Sequence, residues 1–322
     1  PDTAAIDDFT PVTESASTVP ASPDGAPTSS GPATVSTGSP TTTPGTATTP
    51  PAATTAPIPP TAETAVVYGG NGGDAPWFPV VWWDGTVWNP AGYVDDGSFV
   101  TPPSPTIGSV AATSLDLPDG PDQVIGGLAL GPEDFYCVGD EMGPVIPGVA
   151  LPDTPVSLGY DALAVTADWP LQPRPVSQVG ADNPEYATIG AALVDTPTAE
   201  AGTVAQAVRA DLDGDGIEEV LVTYQYLTDD QFGAENDFSL VYVRRPGPDG
   251  SVSEQVLHEY VLESPGNFPT IGRFTIAAVA DLNGDGVMEV ATRSSFWESA
   301  GLAVWADDGD RLSMIGAGGC GV

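Results

Sequence analysis

Two acidic loops of nine residues, seventy positions apart, constrain this chain more than any other feature; the first opens at Asp211 and the second at Asp281 (281 − 211 = 70). Each reads D-x-[DN]-G-D-G-x-x-E. Their flanks align without gaps, as VRADLDGDGIEEVLVTYQY from Val208 and AVADLNGDGVMEVATRSSF from Ala278. The order of elements after each loop is also repeated. A β-branched run comes first (Val220–Tyr226; Val290–Phe296), then a polar or Gly-bearing break and a second run (Phe238–Val243; Gly301–Trp305). A turn is next (Pro248-Asp249-Gly250; Asp307-Asp308-Gly309), and a last run closes the unit (Val252–Leu262; Arg311–Ile315). With the strand before each loop, every unit has four strands. Self-similarity at a fixed period marks a repeat architecture, and four strands per repeat is the plan of a propeller blade.

The loop chemistry points to a hard cation. Oxygen-bearing side chains fall at positions 1, 3 and 5: Asp211, Asp213 and Asp215, then Asp281, Asn283 and Asp285. Gly216 and Gly286 come next, and glycine permits the positive φ of a sharp wrap. The carbonyls of Ile217 and Val287 can add an oxygen, and Glu219 and Glu289 can close the shell. Calcium takes six to eight such oxygens, with water completing the set. Carboxylates packed this closely repel one another unless a cation sits among them. Two calcium ions are expected. The first loop carries four carboxylates and the second three, so the first is expected to bind more tightly. The bland alternative is a pair of Asp/Gly turns between strands.

An EF-hand differs in one respect. It needs a bidentate Glu at position 12 and a helix on each side. Here position 12 is Val222 or Thr292, and the flanks are β-branched. The segments ADLDGDGIEEVLV and ADLNGDGVMEVAT resemble FG-GAP or VCBS-type repeats, the calcium loops also seen in integrin α-subunit propellers. The resemblance covers Thr203 to Val322. It implies that the loop joins the first two strands of a blade and that calcium holds the hairpin. Position 9 is Glu where the family more often has Asp. A full propeller of that family has roughly seven blades. Only two calcium-bearing repeats are visible here, and the preceding residues have room for one or two degenerate blades.

The rest of the chain divides by composition. Residues 1–64 are a Pro/Thr/Ala-rich tract, with TTTPGTATTPPAATTAPIPP at Thr41–Pro60. Such a segment buries too little to offset its ordering entropy, so a disordered, semi-stiff stalk is expected. Residues 65–105 are Trp-rich: WFPVVWWDGTVW spans Trp77–Trp88, and Asp84-Gly85 signals a hairpin. The aromatics suit either a packed β-ribbon or a sugar-stacking platform. Residues 106–202 read as short strands, with one helix over Glu185–Val194, where Tyr186, Ile189 and Leu193 have helical spacing. Residues 203–322 hold the two repeats. The fold class is therefore mostly β: two four-stranded, blade-like repeats with calcium loops, partial or degenerate as a propeller.

Charge excludes several partners. Seven Lys+Arg, all of them Arg, stand against 44 Asp+Glu, a net charge of −37. Nucleic-acid backbones and anionic membranes both need basic surface, so neither is an expected partner. No apolar run is long enough for a membrane helix, so no insertion is expected. Cys137 and Cys320 suit one intramolecular disulfide and an oxidising compartment. Extracellular or cell-surface placement is the expectation.

Catalysis is not expected. The one histidine, His258, sits in QVLHEYVLE, a strand-like run, and no G-x-S-x-G elbow occurs. A glycosidase needs only two carboxylates, so an extracellular hydrolase remains an alternative, as does a purely structural envelope domain. Arg174 and Arg293 are expected to pair with local carboxylates. The favoured reading is a secreted or surface-tethered calcium-binding protein with an adhesion role, or one binding a glycan or protein ligand.

Overall fold

Alternate residues of the run from Val220 to Tyr224 face opposite ways, and both faces are buried. A strand of this pattern must be covered on two sides. The computed structural model describes residues 64–69, 78–93, 99–100, 102, 110–113, 115, 123–125, 163–167, 169–228, 232–247, 249–264, 271–296 and 299–321. The expected stalk, Trp77, Cys137 and the Cys320 side chain lie outside the described residues. Everything described belongs to one unit, Ile58–Val322.

The early strands are short: β1 Ala65–Gly69, β2 Phe78–Trp83, β3 Trp88–Pro90, β4 Gly92–Tyr93, β5 Phe99–Val100, β6 Val110–Thr113, β7 Gln123–Ile125, β8 Leu163–Val165 and β9 Val176–Gln178. Helix α1 comes next at Pro184–Leu193, capped by Asn183, whose side chain accepts from the N–H of Glu185 at 3.0 Å. Pro184 stands at its first turn, where no amide partner is needed. The first repeat then supplies β10 Thr203–Ala210, β11 Glu219–Tyr226, β12 Phe238–Pro246 and β13 Val252–Val261. The second supplies β14 Arg273–Ala280, β15 Glu289–Phe296, β16 Ser299–Asp307 and β17 Leu312–Gly321. Strand lengths are 8, 8, 9 and 10 residues in both repeats. The likeness between the two segments thus extends well past the loops.

Each repeat is an antiparallel meander. The second forms a four-stranded sheet, β14-β15-β16-β17. The first forms β13-β12-β11-β10, to which β9 adds a fifth strand beside β10. A third, six-stranded sheet has the order β3-β2-β1-β8-β6-β7. The Trp-rich ribbon is therefore part of a larger sheet. Its hairpin turns over Asp84–Val87, where Asp84 Oδ1 accepts from the N–H groups of Thr86 and Val87, both at 2.8 Å. Trp83 and Trp88 face each other across it, ring centroids 5.3 Å apart.

The layers stack face to face. Val220, Val222 and Tyr224 of β11 pack with Phe238, Leu240 and Tyr242 of β12 against Tyr186 of α1. On the opposite face Leu221, Val241 and Val243 meet Phe274, Ile276, Val279 and Val290 of the second repeat. That sheet's other face, Ala278, Ala280, Ala291, Leu302 and Val304, packs on Val67, Val80, Val81 and Leu163 of the six-stranded sheet. The second repeat is thus covered on both sides. Backbones approach closely there: a Cβ on Gly316 of β17 would collide with the Val81 side chain.

Candidate metal centre

Both acidic loops sit between the first two strands of their repeat, and the hairpin registers coincide. Ala210 pairs with Glu219, Arg209 with Val220 and Val208 with Leu221. Ala280 pairs with Glu289, Val279 with Val290 and Ala278 with Ala291. Glu219 and Glu289 are therefore each the first residue of the strand leaving the loop.

Within the first loop the side chains organise the backbone. Asp211 accepts from the N–H of Gly214 (2.7 Å, Oδ1) and of Gly216 (3.2 Å, Oδ2). Asp213 Oδ1 accepts from Asp215 N at 2.9 Å, and Asp215 Oδ1 from Ile217 N at 2.7 Å. Glu219 Oε2 reaches back to accept from Leu212 N at 2.9 Å.

The second loop repeats every one of these bonds. Asp281 accepts from Gly284 N (2.7 Å) and Gly286 N (2.9 Å), Asn283 from Asp285 N (3.0 Å), and Asp285 from Val287 N (2.7 Å). Glu289 Oε2 accepts from Leu282 N at 2.7 Å. One bond is added: the Asn283 amide donates to Asp285 Oδ2 at 3.0 Å. Gly216 and Gly286 hold φ of 87° and 89°, the left-handed values expected of position 6.

Each bond leaves lone pairs free on the same oxygens, since a carboxylate has roughly four acceptor sites. In the first loop, ligand atoms of Asp211, Asp213 and Asp215 lie within 4.8 Å of one another, a grouping that could hold a metal ion. Ile217 and Val287 stand at position 7, where a backbone carbonyl can contribute.

The loops differ in surroundings. Asp213 and Asp215 are exposed, and Glu219 is buried. In the second loop Asp281, Asn283 and Glu289 are all buried, at 1%, 4% and 3% exposure. Burial pushes the Asp281 carboxyl up to about 6, partly opposed by the N–H groups of Gly286 and Gly284. Burial pushes Glu289 well above the usual carboxylate range, and Asp285 and Asp281 add to the rise. Glu219 is also raised by burial, but the Leu212 N–H and the Arg245 guanidinium oppose it. No arginine is among the principal influences on Asp281 or Glu289. A bound cation would lower these values again, because a positive charge favours the ionised carboxylates.

Two arginines stand by the first loop. Arg245 of β12 lies 3.8 Å from Glu219 Oε1 and donates to Asp307 Oδ2 at 2.6 Å. Arg174 does have the expected carboxylate nearby, 3.9 Å away at Asp211 Oδ2, but its closest partners are backbone carbonyls. Its Nε donates to the carbonyl of Asp211 (2.5 Å), its Nη2 to that of Leu212 (2.6 Å) and its Nη1 to that of Gly286 (2.7 Å). It thus touches both loops. Nothing in local spacing signals this, because the partners lie 37 to 112 positions away.

His258 sits in β13 as expected. It stacks on Phe274 with centroids 4.5 Å apart, meets the edge of Trp305, and its Nε2 is 2.8 Å from Thr292 Oγ1. Burial pulls it down to about 4. No family model, curated protein or solved structure matches this chain.

Proposed function

We propose that the chain is a secreted or surface-tethered calcium-binding β-protein whose two loops each hold one calcium ion. The observation that carries this reading is the duplicated bond pattern: five side-chain-to-backbone contacts recur with a shift of seventy residues. Loops that serve merely as turns have no need of three oxygen-bearing side chains at the same places and the same closing Glu in both copies. Asp and Glu oxygens with a loop carbonyl are the donor set calcium prefers over softer metals. The ligands of one ion are Asp211, Asp213, Asp215, the Ile217 carbonyl and Glu219. Those of the other are Asp281, Asn283, Asp285, the Val287 carbonyl and Glu289.

Calcium is structural in this reading. Each ion fixes a hairpin between neighbouring β-strands, in repeats of the FG-GAP or VCBS type stacked as blade-like layers. The protein's role is adhesion, or binding a glycan or protein ligand, at the cell exterior, with no catalytic step. The strongly anionic composition suits cation binding. Thermal unfolding in calcium and in EDTA tests the structural part. A rise of several degrees in Tm with calcium is expected, by linkage to the folded state; an unchanged Tm rules it out. A glycan array probed with and without EDTA tests the adhesion part.

A further inference from the structure

The segment Trp169-Pro-Leu-Gln-Pro-Arg-Pro175 runs across the start of both loops. Three prolines stiffen it by fixing φ and removing amide donors. Leu171 accepts from Asp281 N at 2.7 Å, and Trp169 Nε1 donates to the Asp281 carbonyl at 2.9 Å. Arg174 donates to the carbonyls of Asp211 and Leu212 in the first loop and of Gly286 in the second. Leu212 also accepts from Met288 N at 2.8 Å, so a backbone bond joins the loops as well. The first ligand of each loop, Asp211 or Asp281, is thus held at its backbone by one stiff segment. A planar guanidinium with five donors can bridge three carbonyls at once; an ammonium cannot hold that fork.

We infer that Arg174 is a positioning residue shared by the two metal loops, and that it couples their loading so that an ion in one raises the affinity of the other. The inference rests on the reading of both loops as calcium sites. An ion bound by Asp211 fixes the Asp211–Leu212 backbone. That orients the guanidinium and, through it, the Gly286 carbonyl in the wrap of the second loop. Ordering already done for the first ion need not be repeated for the second, which gives positive coupling. Repulsion between the two ions acts against this coupling, and the titration below reads the net effect.

Calorimetric titration of the full, calcium-stripped chain with calcium chloride tests this. Asp213→Ala disables the first loop, and Asp285→Ala the second. In the otherwise native chain, Asp213→Ala is expected to weaken the second loop about five-fold or more, the low end of typical coupling. With Arg174→Met the same knock-out should leave that affinity within about two-fold. Arg174→Lys should behave like Arg174→Met, which covers the case of a poorly folded Met variant. A second readout needs no metal in the second loop: in Asp285→Ala, calcium at the first loop should slow amide exchange at Gly286–Met288. Equal second-loop affinity with and without the first loop overturns the inference, as does coupling that survives both Arg174 variants. Either result leaves the loops as calcium sites. Failure of both single-loop chains to bind calcium overturns that reading and the coupling together.

Discussion

Arg245 Nε lies 3.8 Å from Glu219 Oε1, whereas the second repeat has Ala306 at the matching place. The match comes from register: Val220 pairs with Arg244 and Val290 with Trp305, so Arg245 and Ala306 each come next. The first loop therefore shares its closing carboxylate with a cation at a place where the second repeat has an alanine.

On this asymmetry we predict the opposite of the order that carboxylate count alone suggests. The first loop is the more exposed and has Arg245 beside its closing Glu219. The second buries Asp281 and Glu289, and lower effective dielectric strengthens their pull on an ion. Titration of Asp213→Ala and Asp285→Ala should show that the second loop binds more tightly. The opposite order would mean that carboxylate number outweighs burial and Arg245.

Arg245→Met should act in two directions. The Asp307 side chain, 1% exposed, loses its cationic partner, and metal-free stability should fall by about 3 kcal/mol. Affinity at the first loop should rise, because Glu219 no longer has a competing cation. Denaturant unfolding in EDTA and calcium titration read the two effects separately.

Gly216 and Gly286 each have open space where a Cβ would project, with no atom within 4 Å, yet φ is strongly positive. Alanine there meets backbone strain and no clash. Gly216→Ala and Gly286→Ala should each cost about 1–2 kcal/mol of stability, and asparagine less, since it tolerates the left-handed region. Chemical denaturation checks this, and equal losses for Ala and Asn would argue against a conformational cause.

In metal-free protein the folded state keeps the Asp281 proton up to about pH 6, while unfolded Asp loses it near ~3.9. Between those values the folded chain holds more protons, so stability should rise as pH falls from about 7 toward 4. A shift of this size is worth about 3 kcal/mol. Glu289 adds in the same direction. Asp281→Asn should flatten the slope. Calcium must displace these protons, so its stabilising effect should shrink below about pH 6. Thermal unfolding at pH 5 and 7.5, with and without calcium, measures both.

His258 works against that trend. Its folded value is about 4, while an unfolded His titrates near ~6.5. Between these the unfolded chain binds more protons, so stability is lost as pH falls through the window. His258→Phe should therefore steepen the rise in metal-free stability from pH 7 to 5. An unchanged profile would place His258 in better contact with water than its stacking on Phe274 indicates.

The loops and their hairpins were legible because ligand spacing, glycine position and strand pattern are all local. The helix reading over Glu185–Val194 differs by one residue at each end from the observed Pro184–Leu193. The contacts that distinguish the loops were not legible. Arg174 reaches Gly286 across 112 positions and Arg245 reaches Asp307 across 62. Local periodicity carries no information about such pairs. Joining β1 to β8, nearly a hundred residues on, is likewise set by sheet pairing and not by any pattern within either strand.

Equilibrium dialysis of the calcium-stripped chain against about 1 mM free calcium, a level suited to weak extracellular sites, with metal counted per chain, is the most direct measurement. Two ions per chain are expected, falling to one in Asp213→Ala and one in Asp285→Ala. A native chain that retains no calcium above the buffer level would contradict the metal-loop reading outright.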